Sequence, residues 1–239
     1  MRDSIRKPFF FTAFALFSSA STFAQIAQTF GPQEAPLGCN VYLSTQNAGS
    51  TPISHDPGGL TVYDSAGNLV FSQPSPGSIT IEPSEAYNAV WEQVDSTGLA
   101  VAPGTYHLIS PSGPRIEVGG AQAAVAPLGT RRFELCAPQD ANRPFLMGAM
   151  IASSNPIGFN ACGLSIPLPL QAFSLTLNDG AVFQGFVGFL DANGRANAQL
   201  SPPPNFLQLA EVDYAFVVFD FTQTCPLRRA SARTTTLFL

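Results

Sequence analysis

Few residues of this chain are of a type that could carry reactive chemistry: two histidines, His55 and His107, and four cysteines, Cys39, Cys136, Cys162 and Cys225. His55 stands beside Asp56, and a histidine next to a carboxylate is the minimal unit of a general base. A nucleophile should accompany it, yet no G-x-S-x-G elbow is present. The run His55-Asp56-Pro57-Gly58-Gly59 is ordinary turn chemistry, which is how we read it. His107 alternates with Tyr106 and Leu108, so it shares the opposite, solvent-facing side of a strand with Thr105. The sequence offers it no partner.

Asp191-Ala192-Asn193-Gly194 begins like a calcium loop, but Gln199 and Leu200 occupy the region where a bidentate Glu would be needed, so a hairpin turn is expected. Asp64, Asp95 and Asp191 each stand three residues before a glycine, which makes this a recurring turn device rather than three sites. No two acids are singled out as the carboxylate pair of a glycosidase. The expected catalytic, cofactor-binding and metal-ligating residues are therefore none, and the chain reads as a non-enzyme with no cofactor.

The elements that carry these residues are short strands with regular turn punctuation. Ala27 to Gly38 reads as an extended lead-in. Cys39 to Thr45 alternates as a first strand, and Asn47 to Gly59 follows as a long Gly/Pro/Ser-rich loop. Leu60 and Val62, the Asp64–Gly67 turn and Leu69 to Phe71 form a hairpin. Ser72 to Gly77 breaks the pattern, and Ile79, Ile81, Tyr87, Ala89 and Trp91 resume it. The stretch Val90 to Ile109 organises this half: it holds the single Trp, a turn at Asp95 and Gly98, and Pro103-Gly104 feeding a strand with Tyr106 and Leu108. Such a pattern indicates a β-sandwich.

Thr61-Val62-Tyr63-Asp64 with Gly67 and Val70, Ile81-Glu82-Pro83, Trp91-Glu92-Gln93 with Asp95 and Gly98, and Pro103-Gly104-Thr105-Tyr106 together resemble the BsuPI-like (intracellular proteinase inhibitor) immunoglobulin-type domain. Flagellar hook-capping Ig-like domains share the last piece. The resemblance covers residues 39–118, about a third of the chain, and implies an Ig-like sandwich. Within it Trp91, Asp95, Gly98, Pro103, Gly104 and Tyr106 have structural work: turn dihedrals from the glycines, a fixed φ from the proline, core area from the rings.

Gly119 to Ala124 is small and featureless and is taken as a boundary, giving residues 39–120 to the first sandwich and 121–239 to a second. Strands are expected there at Arg131–Cys136, Phe145–Ala152, Ala181–Leu190, Arg195–Leu200, Val212–Phe221 and Thr234–Leu239. Phe206 to Thr224 could hold a helical turn at its start. Hairpin turns are expected at Asn178-Asp179-Gly180 and Asp191–Gly194. Gly185 to Asp191, Gly194 and the Thr-rich terminal strand are weakly similar to a sandwich module of exported planctomycete-type proteins, a likeness that implies no function. The fold class expected is all-β, two β-sandwich domains in tandem, the first Ig-like, after a cleaved signal peptide.

That signal rests on Arg2, Arg6 and Lys7, the apolar Pro8 to Phe17, and small residues ending Thr22-Phe23-Ala24, which predict residues 1–24 as a signal peptide and 25–38 as the lead-in. The apolar part is shorter than a membrane span, and no later run is long enough. Cys39 after Leu37-Gly38 lies too far from the apolar segment for a lipid anchor. Removing Arg2, Arg6, Lys7 and Asp3 takes the formal charge from -5 to -7. The acidic remainder, with basic pairs only at Arg131-Arg132 and Arg228-Arg229, has no footprint for nucleic acid. The closing Thr-Leu-Phe-Leu is a last sandwich strand rather than the end of a membrane barrel, because the strands are short and the loops rich in proline.

Four cysteines in an exported chain make two disulfides, with three pairings open and no C-x-x-C spacing. Cys162 and Cys225 both adjoin apolar strands of the second unit, so they are expected to pair. Cys136 then joins Cys39 across the boundary. The expected function is binding or structural, toward a protein or cell-surface ligand, in a protein that is secreted or held in the cell envelope. Two rivals remain: an extracellular protease inhibitor presenting Ser72 to Ser78, whose Pro74 and Pro76 lower the ordering entropy, and a hydrolase using His55 and Asp56.

Overall fold

The computed structural model describes residues 26–47, 49–119, 123–129, 131–152, 157–203 and 210–237. The signal peptide, the centre of the boundary stretch, the start of the Phe206–Thr224 segment and the last two residues of the terminal strand lie outside them.

The first sandwich uses β1 (Ile26–Gly31), β2 (Glu34–Ala35), β3 (Val41–Asn47), β4 (Ile53–His55), β5 (Leu60–Asp64), β6 (Leu69–Gln73), β7 (Ile79–Ile81), β8 (Ala86–Trp91), β9 (Gly104–Leu108) and β10 (Arg115–Val118). One sheet runs β1-β3-β8 and the other β2-β10-β9-β5-β6, while β4 and β7 pair by themselves. Every pairing is antiparallel except β2 with β10. The expected lead-in is thus corrected: β1 pairs with β3 from Tyr42 to Asn47, and β2 joins the opposite sheet. The expected Asn47–Gly59 loop likewise contains β4. Neither segment shows long alternation, so pairing partners elsewhere in the chain, not local pattern, make them strands.

Between the sheets Leu43, Leu60, Val62, Leu108 and Ile116 pack around Trp91, which is fully buried. The Trp91 and Tyr106 rings meet edge-on at 5.1 Å. Both polar tips are satisfied, Trp91 Nε1–H donating to Val94 O at 2.8 Å and Tyr106 O–H to Ala102 O at 2.8 Å. Buried aromatic groups of this kind need such partners.

The second sandwich uses β11 (Ala124–Pro127), β12 (Arg132–Cys136), β13 (Pro144–Ile151), β14 (Phe159–Ala161), β15 (Leu164–Ile166), α1 (Leu170–Asn178), β16 (Phe183–Gln184), β17 (Val187–Phe189), β18 (Arg195–Leu200), β19 (Glu211–Phe219), β20 (Leu227–Ala230) and β21 (Thr234–Leu237). Its sheets run β11-β12-β18-β16 and β17-β13-β19-β20, with β21 also on β19. Phe133, Phe145, Met147, Phe186, Tyr214 and Phe216 fill the space between them. Helix α1 and the β14–β15 hairpin cover the outer face of the second sheet with Phe173, Ile166 and Leu168, closing a third apolar layer.

Three expectations change here. The Ala181–Leu190 strand is two pieces, because Gly185 at φ 66° turns the chain so that β16 enters one sheet and β17 the other. Asn178-Asp179-Gly180 is no hairpin turn: Asn178 ends α1, and Asp179 starts the turn into β16. The Asp191–Gly194 turn joins β17 to β18, which lie in different sheets, so it is a corner between layers.

The aspartate turns themselves share one geometry. Asp64, Asp95 and Asp191 each accept on Oδ1 from the backbone N–H two and four residues on, at 2.8–3.0 Å. Each closing glycine, Gly67, Gly98 or Gly194, has φ of 73–84°, the left-handed region that a side chain resists. Hydrogen bonds to the charged form hold the Asp64 carboxyl, through Asn68 first, and the Asp95 carboxyl, through Thr97 first, below the usual range.

Candidate functional site

Sheet order places β5 between β6 and β9, so the connections next to Leu60, Gln73 and Leu108 leave the first sandwich side by side. This loop-bearing end gathers three segments that the sequence treated separately: His55-Asp56, the proline segment after Gln73, and the turn beginning at Ile109.

His55 closes β4 opposite Ile79 and is half-buried. Asp56 is exposed, and its Oδ1 accepts from the Gly58 N–H at 2.9 Å and from the Ser75 hydroxyl. The Ser75 hydrogen bond, then that of Gly58, holds the carboxyl below its ordinary value. Ser75 Oγ accepts in turn from the Gly77 N–H at 2.9 Å, and the Ser54 and Ser78 hydroxyls lie 2.8 Å apart. The carboxylate beside His55 therefore anchors the proline loop, which is tied through Ser75 and Ser78 to Asp56 and Ser54 of the one segment beside it.

Ile109 is the residue that sequence reasoning passed over. Its φ is 70°, and its side chain is 45% exposed. A β-branched residue in the left-handed region is strained, and such strain persists only where the surroundings over-determine it. Here they do: the Ile109 N–H donates to Thr61 O at 2.8 Å, and Ile109 O accepts from Thr61 Oγ1 at 3.0 Å. The turn beyond it closes through Gly113 N–H to Ser110 O, and Gly113 O meets His107 Nδ1 at 3.1 Å. The signal available in the sequence was Ser110-Pro111-Ser112-Gly113, a turn following an apolar strand; the sign of φ was not legible.

The motif residues sit away from this end. Trp91, Asp95, Gly98, Pro103, Gly104 and Tyr106 enclose the Trp91 ring and its turn: Gly98 takes φ 84°, Gly104 opens β9 at φ 158°, and Pro103 lies against Gly119. Their chemistry is that of a core and its turns.

A second polar locus lies between the sandwiches. Val41 and Leu43 of β3 face the first core, while Tyr42, Ser44 and Gln46 point the other way and are buried against the second unit. Tyr42 O–H donates to Glu134 Oε2 at 2.6 Å, and Ser44 Oγ lies 3.3 Å from Pro127 O. Arg195 Nη2 donates to Gly38 O at 2.7 Å and to Asn40 Oδ1 at 3.2 Å, and its Nη1 lies 3.6 Å from Glu134 Oε1. The Cys39–Cys136 disulfide crosses here, and Cys162–Cys225 closes inside the second unit, both as expected. An open cleft of about 580 Å³ lies beside this lock, between Gly38, Glu92, Pro138, Asn193 and Arg195.

Of the basic pairs, Arg228 and Arg229 both bond the buried Asp140, and Arg143 reaches Asp220 at 2.7 Å. Their guanidinium groups are committed to internal carboxylates. Among the described residues no three His, Cys, Asp or Glu side chains come together as a metal site, and no helix is long and apolar enough to cross a membrane.

No family model matches the chain, and no curated protein matches it. Among solved structures it is similar to the collagen adhesin (CNA) from S. aureus, at 6% identity over 88% of this chain and 93% of that one, with a TM-score of 0.19.

Proposed function

We propose that this is an exported, non-enzymatic binding protein whose loop-bearing end recognises a protein or cell-surface ligand. The observation that carries the reading is Ile109: an exposed apolar side chain held in a strained conformation by both of its backbone groups, beside a proline loop held by Asp56. A pre-ordered loop loses little entropy on binding, so such strain is of use where a surface must be presented in one shape. The two disulfides belong to an oxidising, extracytoplasmic environment. Export through residues 1–24 accounts for that location.

The strand order β1-β3-β8 over β2-β10-β9-β5-β6, with the first strand divided between sheets, supports an immunoglobulin-type, BsuPI-like reading of residues 39–118. One observation favours protease inhibition as a second reading: the exposed Ser72–Ser78 segment is fixed through Ser75 and Ser78. Labelled protein bound to the surface of the producing cells tests the first reading. Ile109→Asp is expected to lower cell binding at least about tenfold while folding is kept; unchanged binding removes this end as the site. A protease panel tests the second, with inhibition expected to vanish in Ser75→Ala.

A further inference from the structure

The two disulfides stand in opposite surroundings. Cys39 and Cys136 are 0% and 2% exposed at the junction between the sandwiches, whereas Cys162 is half-buried and Cys225 is exposed. Cys162 and Gly163, at φ 54° and 75°, form the two-residue turn that joins β14 to β15. A turn with both central residues left-handed suits Asn-Gly, so the cysteine holds the hairpin tip in a conformation that its Cβ resists. Its partner Cys225 ends the exposed run of residues 221–225 between β19 and β20. Among the described residues β14 and β15 pair with each other and with neither main sheet. A two-stranded hairpin of this length is not stable by itself. This one is a flap, held down by its apolar underside and by one covalent bond at its tip. Phe159, Ala161 and Ile166 form the underside, in one cluster with Ala215 and Val217 of β19, and the Phe159 and Phe173 rings meet edge-on at 6.5 Å.

We propose that Cys162–Cys225 is a reducible latch on the β14–β15 flap, opened by an external dithiol while Cys39–Cys136 stays closed. Thiol–disulfide exchange needs a line of approach to one of the two sulfurs. The exposed Cys225 offers it, and the buried junction pair does not. One thiolate of the dithiol attacks Cys225 Sγ, the bond to Cys162 breaks, and Cys162 leaves as a thiolate that takes up a proton. The donor's second thiolate then attacks the donor sulfur of the mixed disulfide, so that Cys225 leaves and is protonated in its turn. Two electrons and two protons have passed to the chain, and the dithiol has become a disulfide. A residue in the left-handed region stays there only while its surroundings hold it, and for Cys162 the bond to Cys225 is part of that hold. Once it is open, the flap parts from the sheet and uncovers Phe173, Ala215 and Val217. The latch is independent of the ligand-binding reading above, since the flap belongs to the other sandwich.

The test uses the unmutated chain, incubated without denaturant in dithiothreitol, with released thiols alkylated at intervals and located by peptide mass. Cys162 and Cys225 are expected to react at least about tenfold faster than Cys39 and Cys136. As they do, a dye for exposed apolar surface should bind. Amide exchange should accelerate at Phe159–Ala161 and Leu164–Ile166 but stay slow at Val41–Asn47. Removing the dithiol and reoxidising should reverse both signals. Labelling of all four cysteines at one rate overturns the proposal. So does complete reduction of Cys162–Cys225 with exchange at β14 and β15 unchanged, or with Val41–Asn47 opening at the same time.

Discussion

The Tyr42 hydroxyl of the first sandwich donates to the Glu134 carboxylate of the second across 2.6 Å, inside a polar layer that buries the outer side of β3. Together with Arg195 and the Cys39–Cys136 bond it makes the junction a fixed joint rather than a linker.

Alkaline pH should loosen that joint. Burial first, and the Glu134 hydrogen bond second, push the Tyr42 hydroxyl from its ordinary 10.0 up to about 12. A raised value in the folded state means the contribution is complete below pH 10.0 and is lost as pH climbs toward 12. The loss should be on the order of 2–3 kcal/mol. Urea midpoints at several pH values check this, and Tyr42→Phe should flatten the part of the decline that belongs to this group.

Trp91→Ala should lower stability by about 3–5 kcal/mol, since it empties the centre of the first core and removes the Tyr106 edge contact. Thermal melting measures it, and an unchanged transition would contradict the full burial of that ring.

Acid should act through the aspartate turns. With the Asp64 and Asp95 carboxyls held below 3.8, their contribution is present above that value and disappears as pH falls through the lowered one. Asp64→Asn and Asp95→Asn should therefore reduce the slope of stability against pH in the acid range, while leaving the slope near neutrality as it was.

The disulfides should be unequal in consequence. Cys39–Cys136 spans 97 residues and Cys162–Cys225 spans 63, so each loss should be worth about 4–5 kcal/mol by chain entropy. Replacing Cys39 and Cys136 by Ser should release the sandwiches from each other, seen as faster exchange at Tyr42 and Glu134. The corresponding change at Cys162 and Cys225 should expose the α1 layer instead. Peptide mapping without reductant reads the pairing directly.

What the sequence determined by itself is local. The three Asp-x-x-Gly turns, the alternation of β5, β9 and β12, the Val- and Phe-rich composition of β19 and the inward phase of Trp91 and Tyr106 were all legible, because each depends on neighbours along the chain or on which side of a strand is apolar; the two cysteine pairs followed from which strands the cysteines adjoin. Only the tertiary structure decided the rest. Ile26–Gly31 became a strand because β3 offered it an edge, and Leu170–Asn178 became a helix because the outer face of β13 needed covering by Ala172 and Phe173. A short apolar run carries no period long enough to separate helix from strand. The same holds for sheet assignment: nothing along Ala181–Leu190 says that its halves enter opposite sheets. Those outcomes are pairings between distant segments, and a pattern of period two reports the face a residue turns to, never the strand beside it.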